Sequence, residues 1–177
     1  MQRRDALRLL GALAALPWLP ANAEAALDLG RRVHRRSLRA RAGSLSPEQT
    51  ELVAMITEMV IPETDTPGAG AVGVTPFIDY LLTEWYPPSE RQQFLRGLDD
   101  LDRRAQDTYG AAFTTLPEPS RTEYLTMLDG AKGDSGTAEK TFADVKSLTI
   151  YGYFTSERVQ KEVLKTIVIP GHYEGCA

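Results

Sequence analysis

The sequence predicts an all-α protein, an irregular bundle of about five to six helices joined by loops rich in proline and glycine. Apolar residues recur at helical spacing in several segments, most clearly at Leu52, Val53 and Ile56. No segment shows the sustained alternation of apolar and polar residues that is typical of a β-sheet protein. The chain has 177 residues, 42% of them hydrophobic and 25% charged, which suits one domain with tails. We therefore expect a single helical domain over residues 45–177.

Capping signals place the helices along the chain. Ser46-Pro47-Glu48-Gln49 combines an N-cap, a proline at the first helical position and a capping box, and the helix that it begins ends at Pro62. Further helical segments are predicted from residue 75, from 87–90 to about 109, over about 117–128, over about 138–150, and around 159–167. The stretch 61–71 is a loop, with a structured Asx or ST turn favoured over a cation site for Glu63 and Asp65. Residues 151–154 place three aromatics around Gly152, and we expect a turn in which the glycine permits close packing.

Residues 1–23 have the three regions of a secretory signal. Arg3 and Arg4 precede a short apolar run, which ends at the small residues Ala21 and Ala23. A membrane-spanning helix needs roughly 20 apolar residues, and this run is shorter and is interrupted by an arginine and two prolines. We expect export followed by cleavage after Ala23, and the alternative is a signal retained as an N-terminal anchor.

The adjacent arginines indicate a particular export route. Arg3, Arg4, Leu7 and Arg8 match the pattern read by the twin-arginine translocase, whereas Ala6 stands where an aromatic residue is usual. That route carries proteins that have already folded. We therefore expect a periplasmic protein, exported by the twin-arginine translocase.

The charge is unevenly distributed. Residues 24–43 carry six arginines against two carboxylates, a formal charge of +4, whereas residues 44–177 carry −10. An acidic domain does not suit nucleic-acid binding, so we expect none. We predict a basic, flexible linker over 24–44, and the alternative is a segment that contacts anionic lipid headgroups or an acidic partner.

The residues that usually carry chemistry are sparse. The two histidines, His34 and His172, fall in the predicted linker and in the tail, so no histidine is available in the predicted core as a general base or metal ligand. The chain is therefore expected to have no catalytic, cofactor or metal site of its own. Cys176 is the single cysteine, which predicts an intermolecular disulfide or a free thiol.

Three stretches carry a resemblance to a known family. They are the motif loop (residues 61–69, Ile-Pro-x-Thr-Asp-Thr-Pro-Gly-Ala), the helix-end motif (residues 152–157, Gly-Tyr-Phe-Thr-Ser-Glu), and the tail 170–176 (Pro-Gly-x-Tyr-x-Gly-Cys). Together they make the chain similar to the gluconate 2-dehydrogenase subunit 3 family from about Leu45 to Cys176. These subunits belong to bacterial flavin-dependent sugar and sugar-acid dehydrogenases.

The resemblance implies a non-catalytic subunit that binds a large FAD-containing dehydrogenase of the glucose-methanol-choline type. In some such complexes a cytochrome c subunit with haem c takes the electrons onward at the inner membrane. The small subunit is expected to assist maturation of the large one and to supply its export signal, and to bind no cofactor itself. The alternatives are a self-sufficient small exported enzyme or a lone exported helical binding protein.

We expect the subunit to dock on its partner through the loop 61–74 and the aromatic segment 151–154, because these hold the distinctive residues. The candidate interface residues are Pro62, Thr64, Asp65, Thr66, Pro67, Gly68, Gly152, Tyr153 and Phe154. The alternative is that both segments pack the subunit's own core.

Overall fold

The computed structural model of the chain describes residues 23–39, 43–131 and 137–165. These residues form six α-helices, two 3-10 turns and one π-turn, with no strand among them. The helices are α1 (Ala23–Ser37), α2 (Pro47–Val60), α3 (Val74–Glu84), α4 (Pro88–Tyr109), α5 (Glu118–Gly130) and α6 (Thr137–Thr155). The 3-10 turns are Gly70–Val72 and Phe113–Thr115, and the π-turn is Val159–Val163. The predicted all-α class is confirmed.

Helix α2 begins where the capping signal predicts. The backbone N–H of Gln49 donates to Ser46 Oγ at 3.2 Å, and the backbone N–H of Ser46 donates to the Gln49 side chain at 3.2 Å. Pro47 occupies the first helical turn, where its missing N–H has no helical partner to lose. The capping box therefore satisfies two backbone donors at the start of the helix.

The bounds of α3 and α4 are close to those predicted. Helix α3 starts at Val74 rather than at Thr75, because Gly73 in the left-handed conformation (φ 76°) precedes it in place of a side-chain cap. Helix α4 ends at Tyr109 and is followed by Gly110, as predicted.

Helix α6 is the centre of the bundle and contacts each of the other five α-helices. Its residues 148–155 are all buried, so this part of the helix has no single apolar face. For that reason the prediction that the helix ends near Ile150 is wrong, and the helix runs to Thr155. The aromatic segment 151–154 is the last part of this helix and not a turn.

Glycines allow helices to cross α6 closely, as Gly152 and Gly30 show. A Cβ on Gly152 would lie 2.7 Å from Cδ1 of Phe77 in α3, which confirms the close packing expected there. A Cβ on Gly30 of α1 would lie 2.3 Å from Cγ2 of Thr155. Next to that crossing, the Tyr151 hydroxyl donates to the Ala26 carbonyl oxygen at 2.6 Å. Helix α1 is thus tightly seated on the centre of the bundle.

The flexible linker predicted over 24–44 is wrong for the residues that form α1, which packs against α3 and α6. The buried residues of α1 recur at helical spacing and include Ala26, Val33, His34 and Ser37. The arginines at positions 32, 35 and 36 are exposed. The charge run is therefore the solvent face of an amphipathic helix, which a composition-based interpretation does not distinguish from a linker.

Asp79 of α3 anchors the chain that enters α2. Its carboxylate accepts hydrogen bonds from the backbone N–H groups of Gly43, Ser44 and Leu45, at 3.0, 2.7 and 3.0 Å.

Several predicted residues lie outside the described ranges: Arg3, Arg4, Leu7, Arg8 and Ala21 of the export signal, and His172 and Cys176 of the tail. Ala23, the predicted cleavage residue, is the first residue of α1. Across 23–39, 43–131 and 137–165, no helix is both long enough and apolar enough to cross a membrane.

Candidate functional site

His34 is a buried residue of α1, with 3% of its surface exposed, and not part of a linker. Its Nε2 lies 2.7 Å from the Val72 carbonyl oxygen, so this nitrogen carries the proton and donates it. The ring packs against Phe77 with 5.3 Å between centroids. Burial lowers the pKa of the imidazole, although the bond to Val72 opposes the shift. The neutral ring therefore ties α1 to the segment that follows the motif loop.

Asp100 and Asp102 of α4 bind to neighbouring groups of the protein. Asp100 forms ion pairs with Arg103 and Arg104, and Asp102 accepts a hydrogen bond from the Phe113 backbone N–H at 2.8 Å. In the described part of the chain, no group of three or more His, Cys, Asp or Glu side chains is placed to hold a metal ion.

The motif loop is held closed by Glu58, in the last turn of α2. Glu58 Oε1 accepts from the Glu63 backbone N–H at 3.0 Å, and Oε2 accepts from the Gly70 N–H at 2.9 Å. The Ala69 N–H donates to the Ile61 carbonyl oxygen at 2.9 Å, across the base of the loop. One carboxylate therefore fixes both ends of the loop.

The candidate interface residues of the motif loop divide into an exposed tip and a buried base. Pro62, Thr64 and Asp65 are exposed, Thr66 is half-buried, and Pro67 and Gly68 are buried. The Thr66 N–H donates to Thr64 Oγ1 at 3.4 Å, and the Thr64 N–H donates to the Thr66 carbonyl oxygen at 3.0 Å. These bonds agree with the predicted ST turn.

The helix-end motif lies almost entirely in the core. Tyr153 and Phe154 are 4% and 6% exposed, and their rings meet edge to face at 5.4 Å between centroids. Beyond α6, the Ser156 hydroxyl donates to the Tyr153 carbonyl oxygen at 2.8 Å. The Gln160 side-chain amide donates to the Phe154 carbonyl oxygen. Tyr153 and Phe154 therefore pack the core of this protein itself, which is the alternative that the sequence left open. Their contact with a partner stays a prediction.

The end of the helix-end motif and the segment directly after the motif loop line one surface groove of about 720 Å³, although they lie far apart in the sequence. Residues 31–38 of α1 contribute one wall, residues 70–73 after the motif loop form the floor, and residues 155–162 form the other wall. The second wall contains the end of the helix-end motif and part of the π-turn, an element that is frequent at functional sites. We term this feature the α1 groove.

Sequence reasoning missed Glu58 and the wall formed by α1. A carboxylate in the last turn of a helix opposes the helix dipole, so the position of Glu58 near the end of α2 was a signal of another role. The arginines at 31, 32, 35, 36 and 39 recur at helical spacing, which was a signal for α1.

In the part of the chain that the structure describes, the protein is all-helical, and its groove is built from an amphipathic first helix, the segment after the motif loop and the end of the helix-end motif. The family model of gluconate 2-dehydrogenase subunit 3 matches residues 47–171. The chain therefore belongs to the gluconate 2-dehydrogenase subunit 3 family, as its motifs predict. Membership indicates an accessory subunit of a dehydrogenase complex with a larger catalytic partner. Neither a comparison with curated proteins nor one with solved structures gives a significant match.

Proposed function

We propose that this chain is the non-catalytic small subunit of an FAD-dependent sugar or sugar-acid dehydrogenase of the glucose-methanol-choline type. The observation that carries the proposal is the family match over 47–171, taken with the surface position of the motif-loop tip. Exposed side chains such as Thr64 and Asp65 add little to folding, so a distinctive sequence there is better explained by contact with another molecule.

The motif loop is suited to docking because its shape is set before binding. Glu58 holds both ends of the loop, and a loop that is already ordered loses less conformational entropy when it binds. The exposed tip would then meet the large subunit, and the buried rings of Tyr153 and Phe154 would support the helix end behind the groove.

In the complex, the oxidation chemistry belongs to the partner. The large subunit would hold FAD, and a cytochrome c subunit with haem c would pass the electrons onward. The complex would lie in the periplasm, associated with the inner membrane, and this chain would bind neither cofactor.

The small subunit would also carry its partner across the membrane. A flavoprotein acquires FAD in the cytoplasm and must then cross folded, which the twin-arginine route allows. One signal, at residues 1–23, would serve two docked chains.

Purification of the tagged chain from its native periplasm tests the assembly. The proposal expects a larger chain in fixed ratio and the absorbance spectrum of a bound flavin. Substrate turnover by the purified small chain alone would instead support a self-sufficient enzyme. Recovery of the chain without a flavoprotein would support a lone binding protein and contradict the proposal.

Replacement of Arg3 and Arg4 by lysine tests the carrier role. We expect the large subunit to remain in the cytoplasm, as measured by immunoblotting of cell fractions. The matched control changes Arg103 and Arg104 of α4, which are also adjacent to each other, to lysine, so the same residue type is altered outside the signal and outside the residues that line the α1 groove. Export of the large subunit despite the signal change would rule out this role.

A further inference from the structure

The α1 groove is lined by more positive than negative side chains, in a chain whose residues 44–177 carry a formal charge of −10. Its charged lining residues are Arg31, Arg35, Arg158 and Lys161, with Glu157 and Glu162. Both glutamates already form ion pairs on their own wall, with Lys161 and Arg158 respectively. Arg35 forms no ion pair among the residues that the structure describes, and Lys161 first and Arg35 to a smaller extent lower the pKa of Glu157 on the facing wall. The excess positive charge therefore lies on the α1 wall.

Two buried polar atoms on that wall have no hydrogen-bond partner among the described residues. They are Nδ1 of His34 and Nε of Arg31. Because His34 donates through Nε2 to Val72, its Nδ1 can only accept a hydrogen bond, whereas Arg31 Nε can only donate one. Buried polar atoms in folded proteins normally have partners. Both atoms are enclosed by the protein, so they make the α1 wall polar from beneath without contacting a molecule in the groove.

Apolar surface flanks the groove. Leu38 at the end of α1 is 60% exposed and lines the groove, and Leu164, directly after the π-turn, is also exposed. Leu38 therefore gives the groove an apolar contact surface at the end of α1.

We propose that the α1 groove binds an acidic peptide segment of the large catalytic subunit, an inference that rests on the function proposed above. A carboxylate of that segment pairs with Arg35 and with Arg31, whose Nη2 also donates to Gln160 Oε1 at 3.2 Å. An apolar side chain of the segment packs against Leu38. The charge of the groove supplies attraction and orientation, the segment 70–73 supplies the floor, and residues 155–162 supply the second wall.

A protein segment fits this groove better than a lipid surface does. A helix that lies on a membrane inserts an apolar face, and the apolar face of α1 is buried against α3 and α6. The outward face of α1 carries a row of arginines beside the concave α1 groove. A concave groove accommodates a protruding peptide segment better than a flat lipid surface.

Charge reversal tests the inference with the wild-type chain and the flavoprotein that co-purifies with it. Arg35→Glu, and Arg35→Glu with Lys161→Glu, change exposed side chains of the groove. The matched control is Arg96→Glu, which makes the same change at an exposed position of α4 outside the groove. We expect each groove reversal to weaken binding by about tenfold or more, with the control near wild type. Affinity is read by fluorescence anisotropy, and far-UV circular dichroism verifies folding.

The possible outcomes separate this inference from the function on which it rests. Wild-type affinity in both groove variants would overturn the groove but leave the subunit role intact. Unchanged flavoprotein binding with lost binding to phosphatidylglycerol vesicles would overturn it in favour of a lipid surface. Absence of any flavoprotein with the wild-type chain would remove the proposed function and this inference together.

Discussion

The motif loop and the helix-end motif are the two most distinctive stretches of the described chain, yet they lie in opposite environments. The tip of the motif loop is exposed and its base is tied down by Glu58. The rings of the helix-end motif are buried in the centre of the bundle. The two stretches therefore have different physical settings, an exposed turn whose ends are held by one carboxylate and a core in which several helices cross one helix closely.

Alanine substitutions therefore report on different properties in the two motifs. Truncation of a buried ring disturbs the fold, and any loss of partner binding then follows from instability. Truncation at the loop tip leaves the fold nearly unchanged, so a loss of binding there reports on the contact itself. The variants below are ordered by the size of the expected effect on stability.

Phe154→Ala is expected to have the largest effect. Removal of a buried aromatic ring lowers the free energy of unfolding by about 3–5 kcal/mol, through lost burial and the cavity left behind. Urea unfolding followed by circular dichroism measures the change, and Phe154→Leu should cost much less. A loss below about 1 kcal/mol would show that this ring is not a core residue.

Gly30→Ala tests the crossing of α1 over the end of α6. The new Cβ would overlap Cγ2 of Thr155, and overpacking of this kind costs about 1–3 kcal/mol. The double variant with Thr155→Ser removes that methyl group and should recover part of the loss in thermal unfolding. If the two changes prove strictly additive, the close crossing is not the cause.

Glu58→Gln tests the closure of the motif loop. The amide keeps one acceptor for the two backbone N–H groups, so we expect a loss of about 1–2 kcal/mol. Amide hydrogen exchange should accelerate at Glu63 and Gly70, while Glu51→Gln at an exposed site of the same helix leaves both unchanged. Unaltered exchange in Glu58→Gln would contradict the anchoring role.

Acidification tests the bond between His34 and the segment after the motif loop. Burial lowers the pKa of folded His34 from its ordinary 6.5, so below that pH the unfolded chain binds a proton that the folded chain does not. The free energy of unfolding should therefore fall as the pH drops below 6.5, by at most about 1.4 kcal/mol per pH unit from this residue, and should be unaffected above it. Urea unfolding of wild type and His34→Gln at a series of pH values isolates the contribution. Parallel pH profiles for the two chains would refute it.

Asp65→Ala is expected to have the smallest effect on stability. The side chain is exposed, so the free energy of unfolding should change by no more than about 0.5 kcal/mol. Flavoprotein binding should nevertheless weaken, whereas Glu123→Ala at an exposed site of α5 should not weaken it. Full binding by Asp65→Ala would remove this residue from the predicted interface.

Much of the fold follows from the sequence. The start of α2 directly after its N-cap Ser46 and the end of α4 before Gly110 were predicted, because capping depends on residues that are close together in the chain. The end of α6 was not, because burial on all sides removes the helical periodicity on which the prediction depends. The α1 groove was not predicted, because it joins α1, the segment after the motif loop and the end of α6 from distant parts of the chain, and the predicted interface residues stay a prediction.

The sequence by itself determined the helical class, most helix termini and the family, since these depend on local spacing and on motifs read in order. Only the tertiary structure decided that the basic segment is a docked helix, that Glu58 closes the motif loop, and that Tyr153 and Phe154 face inward. The reason is that burial and hydrogen-bond partners are set by residues distant in the chain. Arg31 and Glu157 border one groove because α1 and the end of α6 pack together, and no local pattern specifies that contact.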